Sequence, residues 1–162
     1  MNDQNYLNRL DQCNDYSDIF EIVKEVVKNS IGRRRAGLIL GLSDLPTHIG
    51  AMYQVGSNFI LVNRILLNEV KRTSDKEMKN AYLFHILLHE YIHSLGLIDE
   101  QKTQSLTHTI CKEALGENHP STLMARHGIG QYFSFAGLRG PNGLKEIELV
   151  RDFERDNLSY FA

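Results

Sequence analysis

The sequence predicts one α+β domain, in which a small sheet of about three strands packs against helices. Short apolar runs bounded by glycines lie between residues 37 and 63, which is typical of strands. Apolar residues at helical spacing precede these runs, and a long apolar segment at 74–95 follows them. The chain has 162 residues, of which 42% are hydrophobic, so it can form one core. We therefore expect residues 1–162 to form a single domain.

The first predicted helix begins at Ser17-Asp18, a polar pair suited to an N-terminus. Apolar residues then recur at helical spacing up to about Asn29, and Gly32 ends the pattern. The polar residues 1–14 before it predict either a short helix or a loose arm.

Three strands are predicted in the middle of the chain. They cover residues 37–42, 49–55 and 58–63. Gly56-Ser57 fits the tight turn of a hairpin between the second and the third. A helix from Asn63 to Lys71 follows, because its apolar residues recur at helical spacing.

The longest predicted helix covers residues 74–95. Ser74-Asp75-Lys76-Glu77 has the form of a capping box, and Gly96 suits the position after a helix. Apolar and aromatic residues occur on most of its sides, so this helix should be buried.

Three further helices are predicted downstream. The first runs from Glu100 to Leu115, with Asp99 as its cap and Gly116 at its end. A short helix follows from Pro120 to about Arg126. After a glycine-rich loop, apolar spacing predicts a last helix at about 144–157.

Charge and composition exclude several classes of protein. The net charge of −2 gives no indication of nucleic-acid binding. The basic cluster at 33–35 is too short to change this and is interpreted as a solvated turn before a strand. No apolar run is long enough for a membrane span, and the polar N-terminus lacks the core of a signal peptide. Cys13 and Cys111 do not form a disulfide framework. A cytoplasmic setting is therefore expected.

The long helix contains His-Glu-x-x-His, formed by His89, Glu90 and His93. Residues four apart lie on one face of a helix, so both imidazoles can bind one metal ion. In zinc peptidases this motif holds Zn²⁺, and its glutamate is the general base on a zinc-bound water. The motif predicts a zinc-dependent hydrolase.

A catalytic zinc ion takes a third protein ligand. Asp99 stands where the metzincin pattern requires a histidine, so the sequence does not predict a metzincin. Several downstream residues have suitable side chains, and spacing alone leaves them open: Glu100, His108, Glu113, Glu117, His119 and His127.

Three stretches of the chain resemble the minigluzincins, which are small prokaryotic metallopeptidase domains of the gluzincin group. They are residues 50–63, residues 89–100 around the motif, and the Gly-Glu-Asn-His-Pro run at 116–120. The resemblance covers about residues 35–128. It implies a zincin-like fold, in which the sheet and a backing helix pack on the motif helix. It also implies Zn²⁺ as the cofactor and a peptide or protein as the substrate.

The resemblance also implies roles for particular residues. Most gluzincins use a glutamate as the third ligand, but this family uses a histidine, which favours His108 or His119. His119 is preferred because Pro120 fixes the backbone after it and Gly-x-x-His-Pro resembles the family pattern, and His108 is the alternative. The strand beside the cleft would bind substrate main chain near Asn58 and Phe59.

Apart from the resemblance, His85 lies one turn before His89 and is interpreted as a support for the ligands or as a core histidine. Tyr132 and His127 are candidate oxyanion donors.

The predicted function is therefore zinc-dependent hydrolysis of peptide bonds, with Glu90 as the general base. The alternative is a non-catalytic zinc-binding or partner-binding module on a peptidase scaffold. Minigluzincins can be held latent by their C-terminal segments. Residues 129–162 are accordingly a candidate for a latency segment or for a homodimer contact; the alternative is that they complete the core.

Overall fold

The computed structural model describes residues 3–143 and 145–154 of the chain. Within these residues the fold is α+β, with six α-helices and a four-stranded mixed sheet. The elements follow in the order α1 (Asp3–Gln12), α2 (Tyr16–Ile31), β1 (Ile39–Ser43), β2 (Ala51–Tyr53), β3 (Phe59–Asn63), α3 (Arg64–Thr73), α4 (Lys76–Ser94), α5 (Glu100–Leu115), α6 (Pro120–His127), a 3₁₀ turn (Ile129–Gln131) and β4 (Glu148–Leu149).

The sheet has the strand order β2-β3-β1-β4. β2 and β3 form the predicted antiparallel hairpin, and β1 pairs with β3 in parallel. The two central strands are buried, whereas β2 and β4 each have one edge without a neighbouring strand among the described residues. β2 packs against α4, which places one sheet edge beside the motif helix.

α4 is the central helix of the domain, and α2, α5, α6 and β2 pack around it. Tyr82, Phe84 and Tyr91 are fully buried within it, as the apolar pattern predicts. The N-cap predicted for this helix, Ser74, is one residue early. Asp75 is the N-cap of α4, and its side chain accepts from the Met78 N–H. Ser74 instead ends α3, where its hydroxyl donates to the Val70 carbonyl.

The N-terminal residues form α1, which packs into the core through the buried Tyr6 and Leu10. The amide of Asn80 on α4 donates to the carbonyls of Leu10 and Cys13, at 2.8 and 2.9 Å. This buried contact fixes the end of α1 on α4, so residues 3–12 adopt the short-helix alternative.

The predicted start of α2 at Ser17-Asp18 is also displaced. Asp15 is the N-cap, and its carboxylate accepts from the Asp18 N–H at 2.7 Å. Ser17 is buried within the first turn, because the helix begins at Tyr16.

The helix predicted at 144–157 is wrong for the described residues. Glu148–Leu149 form β4, which pairs with β1, and the Val150 N–H donates to the Leu40 carbonyl at 2.9 Å. The free edge of β1 provides these hydrogen bonds, and they outweigh the helical spacing of the apolar residues. Residues 144 and 155–157 lie outside the described residues.

The last described residues are anchored in the core. Phe153 stacks on Phe20 with ring centroids 4.3 Å apart. Next to it, Glu154 forms a 2.6 Å ion pair with Lys24, and both side chains are buried. Within the described ranges, no helix combines the length and the apolar character that a membrane crossing requires.

Candidate metal centre

The motif residues lie in the last two turns of α4. His89 and His93 face the same side, and their ring centroids are 4.8 Å apart. The ligand atoms offered by His89, Glu90 and His93 all lie within 4.8 Å of one another. The helical spacing therefore brings the two imidazoles together as the sequence predicts.

Glu100 lies directly against both imidazoles. Its Oε1 is 2.7 Å from Nε2 of His89, and its Oε2 is 3.0 Å from Nε2 of His93. The two histidine side chains are 14% and 13% exposed, whereas that of Glu100 is 71% exposed. One carboxylate thus spans two ring nitrogens at the surface of the domain.

The position of Glu100 follows from the short connection between α4 and α5. Gly96 has φ +105°, a conformation that glycine adopts without strain, and it reverses the chain after α4. Asp99 then caps α5, and its Oδ1 accepts from the Lys102 N–H at 2.8 Å. Glu100 is the first residue of α5, so it lies beside the last turn of α4.

The hydrogen bonds of His93 show which of its nitrogens can bind a metal. Its Nδ1 is 2.7 Å from the Leu97 carbonyl, which can only accept, so Nδ1 carries the proton. In the neutral imidazole Nε2 then bears the lone pair, which is directed at Glu100, whose oxygens are also acceptors. Two acceptors facing each other are stabilised by a cation between them, so this donor set fits a metal ion.

Thr103 supports this arrangement from α5. Its hydroxyl lies 3.0 Å from the Leu97 carbonyl and 2.8 Å from the Asp99 carbonyl. The side chain is fully buried, so the loop between the two helices is held from inside.

Glu90 is buried beside His89, His93 and Glu100, which we name the ligand cluster, and 7% of its surface is exposed. Burial raises the pKa of its carboxyl to about 7, the charge of Glu100 adds to this, and the neighbouring His93 opposes it. The carboxylate accepts a hydrogen bond from the backbone N–H of Tyr53 on β2. Burial also lowers the pKa of His89, although Glu100 opposes that shift.

A cleft of about 370 Å³ opens at the cluster. Its walls come from the residues before and within β2, from α4 and α5, and from the end of α6. His89, Glu90 and Glu100 line it, as does Ala51 at the sheet edge. Substrate-sized groups could therefore contact both the sheet edge and the ligand cluster.

Arg35 fixes the sheet edge to the end of α4, a role that the sequence did not indicate. Its Nη1 lies 2.7 Å from the Ser94 carbonyl and 3.0 Å from the Tyr53 hydroxyl, and its Nη2 donates to the Ser57 carbonyl at 2.9 Å. The nearby Arg33 donates to the Leu95 carbonyl. The basic cluster is thus not a solvated turn, because two of its side chains bind carbonyls at the end of α4.

The structure does not bring His119 to the ligand cluster. His119 is the N-cap of α6, and its Nδ1 accepts from the Ser121 N–H at 3.1 Å. Ser121 in turn donates to the Ala81 carbonyl, which precedes His89 by about 12 Å along the helix axis. The capping geometry thus holds His119 near the other half of α4. Among the described residues it is Glu100, and not His119, that lies against both motif imidazoles.

His108, the alternative ligand, also lies away from the two imidazoles. It lies on α5 about 12 Å beyond Glu100 and lines a separate groove. Its Nε2 is buried without a hydrogen-bond partner among the described residues.

Asn58 and Phe59 do not border the cleft. β3 is an inner strand, paired with β2 on one side and β1 on the other, so it has no free edge for a substrate. The Asn58 amide donates to the Gly37 carbonyl, and the Phe59 ring lies against Gly41. The sheet edge beside the motif is β2, because β1 pairs with the other side of β3.

Of the remaining histidine and tyrosine candidates, only His85 lines the cleft. It lies one turn before His89, and burial lowers its pKa to about 4, so its ring is neutral. Tyr132 ends the 3₁₀ turn and His127 ends α6, and neither lines the cleft.

Comparison of the chain with family models, curated proteins and solved structures found no significant match.

Proposed function

We propose that this protein is a zinc-dependent peptidase in which His89, His93 and Glu100 hold the metal. The convergence of one carboxylate on two imidazole nitrogens, at 2.7 and 3.0 Å, is the observation that carries the proposal. Two histidines and one carboxylate are a ligand set of catalytic zinc sites, which keep a position open for water. The cleft that opens at these residues supports such an open position.

Zinc bound there would supply Lewis acidity, which activates water and polarises the carbonyl that is attacked. Glu90 would accept the proton of the attacking water and deliver it to the leaving amine. The N–H of Tyr53 holds the Glu90 carboxylate in place, so that the base is oriented before substrate binds. His93 keeps its orientation through the Leu97 carbonyl.

The edge of β2 supports a peptide as the substrate. The Gly50 carbonyl and the Gln54 N–H bond to β3, so the backbone groups of Ala51 between them point away from β3. Ala51 also lines the cleft. An extended peptide could pair with this residue by strand addition while its scissile bond lies near Glu90.

This proposal keeps a zincin-like fold and places the chain nearer to gluzincins with a glutamate ligand. A histidine in the third position, as the minigluzincin resemblance implies, is not supported by the positions of His108 and His119. The resemblance itself stays a prediction.

Latency through residues 129–162 also stays a prediction. Ile129 lines the cleft, whereas Glu148–Leu149 extend the opposite edge of the sheet from β2. The buried Phe133, Phe153 and Glu154 favour a role for the described part in the core. Residues 155–162 lie outside the described residues.

The test is zinc analysis together with turnover. The chain purified in zinc-replete medium should contain equimolar zinc and cleave a mixture of unrelated peptides. Glu90→Gln should keep the zinc and lower kcat by about 10²- to 10⁴-fold, since it removes the general base. Full zinc content with no cleavage by the unmutated chain would favour the non-catalytic zinc-binding module, and equal cleavage by both chains would refute the role of Glu90.

A further inference from the structure

A second open groove, of about 830 Å³, runs along α5 and α6. We name it the α5–α6 groove. Its lining consists of neutral and basic residues, and no aspartate or glutamate lines it. The basic members are Lys102, His108 and Arg126.

The groove continues the cleft of the metal centre. Gln104 lines both, and its side-chain amide donates to the Ala125 carbonyl at 3.3 Å, joining α5 to α6 at the boundary. On α6, Met124 lines the cleft and its neighbour Ala125 lines the groove. On α5, Glu100 lines the cleft while Gln101 lines the groove. A chain that leaves the cleft across Gln104 therefore enters the groove.

The charged side chains of the groove lack ion-pair partners in the part of the chain that the structure describes. Lys102 and Arg126 are exposed, and neither forms an ion pair with any residue in the described ranges. Both can therefore pair with a bound molecule without breaking an existing contact. Because the whole chain carries a net charge of −2, this positive groove is a local feature and not a consequence of overall charge.

We propose that the α5–α6 groove binds an acidic segment of the substrate, so that this protein selects peptides with aspartate or glutamate beside the cleaved bond. The link to cleavage depends on the proposed peptidase function, but the binding itself does not. A peptide is favoured over a nucleic acid because the groove is continuous with a cleft whose sheet edge can pair with an extended peptide. Two exposed cations are also few for a polyphosphate backbone.

The first experiment measures binding without turnover. Fluorescence anisotropy would follow labelled peptides on the zinc-loaded, full-length Glu90→Gln chain: a glutamate-rich peptide, and the same peptide with glutamine or lysine in its place. Two exposed charge pairs predict that the glutamate peptide binds about fivefold more tightly than the glutamine peptide, and that salt removes the difference. Lys102→Gln with Arg126→Gln should abolish the preference.

The matched control is Lys28→Gln with Lys145→Gln, which removes two exposed lysines outside the groove. It lowers the net charge equally and should leave the preference intact. Equal affinity for the glutamate and glutamine peptides would overturn the proposal. So would a preference that both double variants lose alike, or tighter binding of a labelled oligothymidylate than of the glutamate peptide.

The second experiment reads cleavage sites in a peptide mixture by mass spectrometry. The active chain should cut preferentially where acidic residues lie on one side of the bond, and Lys102→Gln with Arg126→Gln should lose this bias while still cutting neutral peptides. Cleavage without any acidic bias would overturn the groove and leave the peptidase standing. Groove-dependent binding of the acidic peptide without any cleavage would support the groove and contradict the peptidase function.

Discussion

The two halves of α4 treat polar side chains in opposite ways. In the first half, residues 76–85, Asn80 is 1% exposed and donates to two backbone carbonyls. The Ala81 carbonyl accepts from the fully buried Ser121 of α6. In the second half, His89 and His93 face a carboxylate at the mouth of a cleft. Polar groups that the backbone satisfies hold the fold together. In the proposed site, the neutral His93 and the Glu100 carboxylate face each other as acceptors, an arrangement that a bound cation would stabilise.

The largest expected effect is on zinc affinity and concerns the second half of α4, residues 86–94, which we name the cleft half. Glu100→Gln keeps the size of the side chain but removes the charged ligand, and we expect zinc affinity to fall by about a thousandfold. His119→Gln changes the histidine at the other half and should leave zinc affinity unchanged. Competition with a chromogenic chelator measures both. A large loss in the His119 variant with none in the Glu100 variant would reverse our assignment.

The next largest effect is on stability and concerns the first half of α4, residues 76–85, which we name the core half. Asn80→Ala leaves the carbonyls of Leu10 and Cys13 without their buried donor, and should lower the free energy of unfolding by about 3 kcal/mol. The zinc affinity of the folded protein should not change. Urea unfolding of the zinc-free chains measures the first quantity and chelator competition the second. A shift in zinc affinity larger than the loss of stability would show that the two halves are coupled.

A smaller effect is expected from the support of the ligands. Thr103→Val has nearly the same shape but removes the hydroxyl that lies near the Leu97 and Asp99 carbonyls. The Leu97 carbonyl orients His93, so zinc affinity should fall by about tenfold. Thr109→Val on the exposed side of the same helix is the control and should bind zinc normally. Unchanged affinity in the Thr103 variant would show that Leu97 needs no support.

The smallest effect is expected at the contact between α6 and α4. Ser121→Ala removes one buried hydrogen bond and should cost about 1 kcal/mol of unfolding free energy, with no loss of zinc. Thermal unfolding of the zinc-free chain would measure this. A change in zinc content would contradict the separation of the two halves.

The sequence predicted well those features that depend on residues close together in the chain. Apolar spacing, with Asp99 and Gly116 as end signals, located α5, and the motif itself placed His89 and His93 on one face. The proposed third ligand, Glu100, is also a local feature, because a connection of a few residues after Gly96 leaves the start of α5 beside the end of α4. The resemblance instead favours a histidine, which is why the sequence alone predicts His119 and not Glu100.

Other features depend on pairings that spacing does not contain. The strand order β2-β3-β1-β4 decides which edge borders the cleft, and so excludes Asn58 and Phe59. The predicted last helix fails because β1 has an edge that Glu148–Leu149 can join. Arg35 stands in a basic run that looks solvated, and only the fold brings the Ser94 carbonyl and the Tyr53 hydroxyl to it.

The position of the metal tests the central claim most directly. A crystal of the zinc-loaded chain, measured on both sides of the zinc absorption edge, would locate zinc by its anomalous signal. We predict one peak at about 2.0–2.2 Å from Nε2 of His89, Nε2 of His93 and a carboxylate oxygen of Glu100. A peak coordinated by His119 or His108 in place of Glu100, or no peak at the two motif histidines, would contradict the account.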